Sequence, residues 1–227
     1  MKLKVKLLRR VFCVVMCVVI LACCSVNVFA VDWLNRPLKW SNSGSGHVNI
    51  YWADFDAPYS GIGVTHSKIA SGAAMWVNGT SVISSRLYAT EVSVSQLGTY
   101  SSGWIAFVMA TPEYWSDVEF GLLSEEVFAV TNAYDSIGMP IEQSSSNLIA
   151  QSYIFYSPTH DTEDIDPEFV ETPVSNWASI MAHEIGHSLG FGHTASSVES
   201  IMRKDIASLG YASLKLYDQG DFHRKYG

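Results

Sequence analysis

Beyond residue 24 this 227-residue chain has no cysteine; all four, Cys13, Cys17, Cys23 and Cys24, sit near its start. The remainder is therefore not a disulfide scaffold. Basic residues are scarce as well. Five of the 14 Lys and Arg fall within residues 1–30, which hold no acidic residue, so residues 31–227 carry nine basic against 22 acidic side chains, net −13. Such a surface disfavours nucleic acid and anionic membranes, and it favours solubility. There is no internal repeat, no heptad pattern and no second long apolar run. Solenoids, coiled coils and polytopic membrane proteins are excluded on that ground.

What is present begins with the leader. Met-Lys-Leu-Lys-Val-Lys-Leu-Leu-Arg-Arg is basic, an apolar run from Val11 to Cys24 follows, and Val28-Phe29-Ala30 is a small-residue exit. This pattern predicts a signal peptide over 1–30, cut after Ala30. The apolar run is too short for an ordinary spanning helix. A rival reading puts a lipid anchor on Cys23, because Ile20-Leu21-Ala22-Cys23 loosely matches a lipoprotein signal, although Leu21 fits it poorly. Export without cysteines in the mature part points to a bacterial, secreted, extracellular protein. It has no membrane contact after signal removal unless Cys23 is lipidated.

Residues 31–46 end in Ser41-Asn-Ser-Gly-Ser-Gly46 and read as a flexible N-terminal segment. Residues 47–227 fit one domain, expected to be monomeric. His47–Trp52, Arg86–Ser93, Trp104–Ala110 and Leu148–Tyr156 read as strands, and Thr65–Trp76 as a helix with Ile69, Ala73 and Trp76 on one face. The expected class is α+β, a mixed twisted sheet packed on a central helix.

That helix carries the chemistry. Residues 183–193 read His-Glu-Ile-Gly-His-Ser-Leu-Gly-Phe-Gly-His. Residues four apart share a helix face, so His183 and His187 can address one ion. Gly190 suits a left-handed helix end, which turns the chain so that His193 can return as third ligand. Three imidazoles suit one zinc, with a position left for water. Glu184 is not needed as a ligand and is placed to act as general base. Five fixed residues at this spacing match by chance on the order of 10⁻⁵ per chain of this length. The bland alternative is a helix with two solvated histidines and a third by coincidence. Thr172 and Pro173 suit a helix start. Trp177, Ile180, Met181, Ile185 and Leu189 make the helix apolar on most sides. Two histidines and a glutamate in such a helix are costly to bury unless a metal partners them.

With the 183–193 motif, Ser200-Ile201-Met202 nine residues beyond it, and the closing Asp218-Gln-Gly-Asp-Phe-His-Arg-Lys-Tyr-Gly227, the chain resembles the metzincin zinc peptidases, and among them the matrixins. The resemblance implies a zincin-type fold with a small C-terminal subdomain holding a Met-turn and a closing helix. It implies that Met202 forms an apolar floor under the zinc without binding it. It further implies a secreted endopeptidase acting on peptide or protein substrates through a zinc-activated water, with Glu184 as general base. The sheet edge just before the zinc helix would lie antiparallel to the substrate, so Leu148–Tyr156 is either that edge or an ordinary core strand. Met202 is followed by Arg203 and Lys204, where matrixins usually carry Tyr-Pro or similar. No tyrosine follows the turn methionine, so no tyrosine ligand is expected. No cysteine is available to block the zinc. A catalytically inactive binding module on the same fold is the alternative, and it predicts damage at Glu184, which is intact.

The loop Thr159-His160-Asp161-Thr-Glu163-Asp164-Ile-Asp166 is acidic enough for Ca²⁺ but lacks ordered ligand spacing, so a solvated loop is the competing reading. His160 has no matching partners for a second zinc site. His47, His66 and His223 read as surface or core histidines, and Asn78-Gly-Thr80 as an incidental glycosylation pattern.

Overall fold

A computed structural model describes residues 37–42, 47–55, 66–109, 129–156 and 176–227. Alternation with period two builds its sheet. In β2 (Val48–Asp54), Val48, Ile50 and Trp52 point into the main core, while Tyr51 and Ala53 face the other side. β2 lies between β3 (Leu87–Glu91) and β4 (Trp104–Met109), parallel to both. β4 pairs in parallel with β7 (Gln151–Tyr156). β5 (Ala129–Tyr134) then pairs antiparallel with β7, giving a five-stranded mixed sheet of order β3-β2-β4-β7-β5.

This order settles one expectation. Leu148–Tyr156 is not the open edge. It breaks at Ala150 into β6 (Leu148–Ile149) and β7, and β7 is hydrogen-bonded on both sides. Its inward residues Ser152, Ile154 and Tyr156 are buried, as a core strand requires. Among the described residues, the edge on that side is β5. A second expectation also changes. Part of the supposedly flexible segment is fixed: β1 (Lys39–Trp40) pairs in parallel with β6, and Leu38 and Trp40 are fully buried. The Trp40 N–H donates to the Tyr226 hydroxyl at 2.8 Å. Burial of one indole outweighs the serine- and glycine-rich composition that follows it.

Two helices cross the core face of the sheet. Helix α1 (His66–Val77) buries Ile69, Gly72, Ala73 and Trp76, the face its spacing predicted. It packs on α4 (Asn176–Ser188) at close range: a Cβ at Gly72 would stand 2.7 Å from Met181 Cβ. Trp76 seals the contact by donating its indole N–H to the Ala182 carbonyl at 2.7 Å. The predicted start of α4 at Thr172 and Pro173 lies outside the described residues, as does the acidic loop 159–166. Two one-turn helices, α2 (Ser81–Ser84) and α3 (Val94–Leu97), connect strands. Another, α5 (Ile206–Leu209), precedes α6 (Leu216–Tyr226), which closes the chain against Phe191 and Trp76. No described helix is long and apolar enough to cross a membrane.

Candidate metal centre

Every residue of α4 is buried, including His183, Glu184 and His187. Three ionisable side chains in a fully buried helix demand partners. The helix stops where glycine was expected to stop it. Gly190 adopts φ 81°. Its N–H donates to His187 O at 2.8 Å and the Phe191 N–H to Gly186 O at 2.9 Å, the paired bonds of a Schellman end. The reversed chain delivers His193 to the two helical histidines. One ligand-capable nitrogen from each of His183, His187 and His193 lies within 4.8 Å of the other two.

The ring orientations are fixed by main-chain carbonyls. His183 Nδ1 donates to Ile201 O at 2.7 Å and His187 Nδ1 to Phe191 O at 2.8 Å. A carbonyl only accepts, so both protons sit on Nδ1, and each neutral ring turns the lone pair of its Nε2 toward the cluster. These two Nε2 atoms are 3.0 Å apart. Two lone pairs at that distance repel unless a cation lies beside them. His193 Nδ1 is buried with no hydrogen-bond partner among the described residues. Burial holds all three rings neutral near pH 7: His183 is lowered to about 4, His193 to about 3 with His183 and Lys204 adding, and His187 falls well below the ordinary range with both neighbouring histidines adding. Three neutral imidazoles, two of them with tied second nitrogens, fit a borderline divalent cation.

Glu184 is not a member of the trio. Its Oε2 accepts from the Thr131 hydroxyl at 2.7 Å, and the Thr131 backbone N–H also bonds its carboxylate. Burial raises its pKa to about 7, against the pull of both Thr131 bonds. A carboxyl near neutrality can both take and return a proton. The Thr131 hydroxyl also lies 3.0 Å from the Glu184 carbonyl, so one short strand segment holds both ends of this residue.

Met202 lies under the helix, 3% exposed, and its sulfur sits where a Cβ at Gly186 would be. Its turn is built by Asp218 of α6. The Asp218 carboxylate accepts from the Ile201 N–H at 3.0 Å, from the Ser200 hydroxyl and from the Lys215 N–H at 2.8 Å. Ile201 thus faces Asp218 with its N–H and His183 with its carbonyl. Thr194 N–H donates to Met202 O at 2.9 Å, tying the residue after His193 to the same turn.

His183, Glu184, His187, His193 and Met202 are all brought together. Thr131 and Asp218 were not assigned roles from the sequence. Thr131 carries no local signal, while Asp218 lay in a quoted motif without a stated job. His66 stands apart between Asp54 and Glu91, at 3.6 and 3.2 Å. His47 packs near Tyr88, and His223 lies on α6.

No family model matches this chain, and no curated protein is significantly similar to it. Among solved structures it is similar to the crystal structure of archaemetzincin from Methanopyrus kandleri. The identity is 10%, the TM-score is 0.39, and the match covers 80% of this chain and 97% of that one. At that level of likeness the chemistry of the site rests on this chain's own residues.

Proposed function

We propose that this chain is a zinc-dependent metalloendopeptidase, exported and matrixin-like in its site. The observation that carries the reading is the convergence of His183, His187 and His193, two of them oriented by carbonyls, beside a buried carboxyl that is not one of the three. His183, His187 and His193 would hold the zinc, which would supply Lewis acidity toward a peptide carbonyl and a water molecule. Glu184 takes the proton of the attacking water on its carboxylate and gives it to the departing amide nitrogen. Thr131 holds that carboxylate toward the edge of β5. An extended substrate pairs with this edge through main-chain hydrogen bonds, antiparallel to β5. The acidic surface keeps the protein soluble outside the cell.

The test measures zinc content and peptide-library cleavage together. Protein purified without chelators should hold about one zinc per chain and cleave internal bonds, and Glu184→Ala should not. A chain that neither binds zinc nor gains activity when zinc is added would end the reading. A chain that binds zinc yet cleaves nothing would favour a binding module. Export is read separately: mature protein from the medium should begin near Val31, whereas lipid on Cys23 in the membrane fraction would support anchoring.

A further inference from the structure

We infer that the turn from Asp135 to Ile141 is a built-in stop on the substrate edge, ending main-chain recognition of the peptide shortly before the bond to be cut. This rests on the peptidase reading. Along β5 the backbone groups alternate between β7 and the open side. Tyr134 O accepts from Ala150 N at 2.8 Å, so Tyr134 faces inward toward the β7 side. Ala133 then faces outward, and its carbonyl is already taken by Ile141 N at 2.9 Å. Asp135, outward by the same alternation, donates its N–H to Met139 O at 3.0 Å. The chain has folded back on its own edge, with Tyr134 bridged antiparallel to Pro140.

A peptide cannot pair with the turn instead. Pro140 faces away from β5, between two residues bonded to it, and has no N–H to offer. Its carbonyl already accepts from Gln143 N at 2.9 Å and Ser144 N at 3.0 Å. The turn is also rigid. The buried Asp135 carboxylate accepts from Ile137 N at 3.0 Å, Met139 N at 2.9 Å and the Ser144 hydroxyl at 2.5 Å, and Gly138 takes φ 80°. Edge capping of this kind is how sheets refuse further strands.

Position turns the stop into specificity. Glu184 meets β5 at Thr131, so the reacting bond lies near that residue. In an antiparallel pairing, β5 residues after Thr131 face peptide residues before the bond. The Ala133 carbonyl and both main-chain groups of Asp135 are taken, so paired recognition on that side ends within about two residues of the bond, given one outward residue in every two. Among the described residues, Thr131 O and Ala129 have no other main-chain partner on that side and remain for the rest of the peptide.

Two measurements test this. In the first, one cleavable peptide is lengthened residue by residue before its scissile bond and scanned by backbone N-methylation. Lengthening past the second residue should change kcat/KM by less than about threefold, and N-methylation at the third and fourth residues should have as little effect. A pair of new main-chain bonds would instead add about tenfold or more, and any gain beyond threefold overturns the stop. The second measurement does not depend on cleavage: hydrogen exchange in the free zinc-loaded protein. The Ile141 amide should be strongly protected by its bond to Ala133. Exchange of Ile141 at the rate of an open loop amide overturns the stop, even if peptides are cleaved. Protection of Ile141 with no peptide cleaved keeps the stop and refutes the peptidase reading alone.

Discussion

Two residues on neighbouring positions of one helix have opposite duties, and the hydrogen bonds separate them. His183 is anchored by Ile201 O and turns its Nε2 to the cluster, while Glu184 is held by Thr131. Glu184→Ala should therefore keep zinc and lose activity by about 10²–10⁴-fold, the range of general-base catalysis. His187→Ala should lose zinc as well. Metal content and turnover on both variants decide it; zinc lost equally from both would make Glu184 a ligand. Thr131→Val removes the hydroxyl at nearly constant shape but leaves the backbone N–H. One charge-assisted bond is lost, so kcat should fall by about tenfold or more, with KM and zinc content unchanged and Thr131→Ser restoring activity. A rise in KM alone would mean that Thr131 contacts substrate and does not position Glu184. The histidines were legible because their spacing is set by one helix and one turn. Thr131 was not, because 53 residues separate it from Glu184 and only the tertiary fold brings them together.

Helix α4 works as a frame because small residues let its neighbours approach. At Gly186 an added Cβ would collide with the Met202 sulfur and stand 3.0 Å from the Trp76 ring. The ring cannot retreat, because Trp76 is bonded to Ala182 O, and the Met202 main chain is held by Ser200 and Thr194, so only the Met202 side chain is left to shift. Gly186→Ala should thus destabilise by about 1–3 kcal/mol, the usual range for overpacking, despite the better helix propensity of alanine. Denaturant melts check this, and adding Met202→Ala should recover part of the loss. An unchanged midpoint would show that the Met202 turn is looser than described. At this scale the sequence was informative where a pattern is local. α1 and β2 to β4 appear within a few residues of their expected bounds, and Gly190 ends α4 as its chemistry requires. The one-turn helices escaped notice because four residues carry no periodicity. The edge strand β5 was not singled out, and Leu148–Tyr156 stayed open between edge and core, because strand order is a property of the whole sheet, not of any strand.

For the whole molecule, the centre ties stability to pH through metal and protons together. Without metal, His183 is lowered from 6.5 to about 4 and His193 to about 3, so the folded chain refuses protons that the unfolded chain accepts below about pH 6.5. Their contribution is present above that pH and is lost as the solution is acidified. Glu184 opposes them: with its pKa raised from 4.5 to about 7, the folded state keeps a proton that the unfolded state releases, which adds stability as pH falls from 7 toward 4.5. His183 and His193, joined by His187 in the same direction, outweigh one carboxyl. The metal-free protein should therefore melt at progressively lower temperature between pH 7 and pH 5. Zinc at a hundredfold excess over its Kd should add about 2.7 kcal/mol near neutrality. That gain should shrink on acidification, because protons compete for the three imidazoles while the ion needs their lone pairs. Thermal melts with and without zinc from pH 8 to pH 5 measure both effects. A zinc-induced shift that stays constant down to pH 5 would mean that the ion is not held by histidines. A metal-free Tm that rises toward pH 5 would mean that Glu184, and not the histidine cluster, dominates the electrostatics of the core.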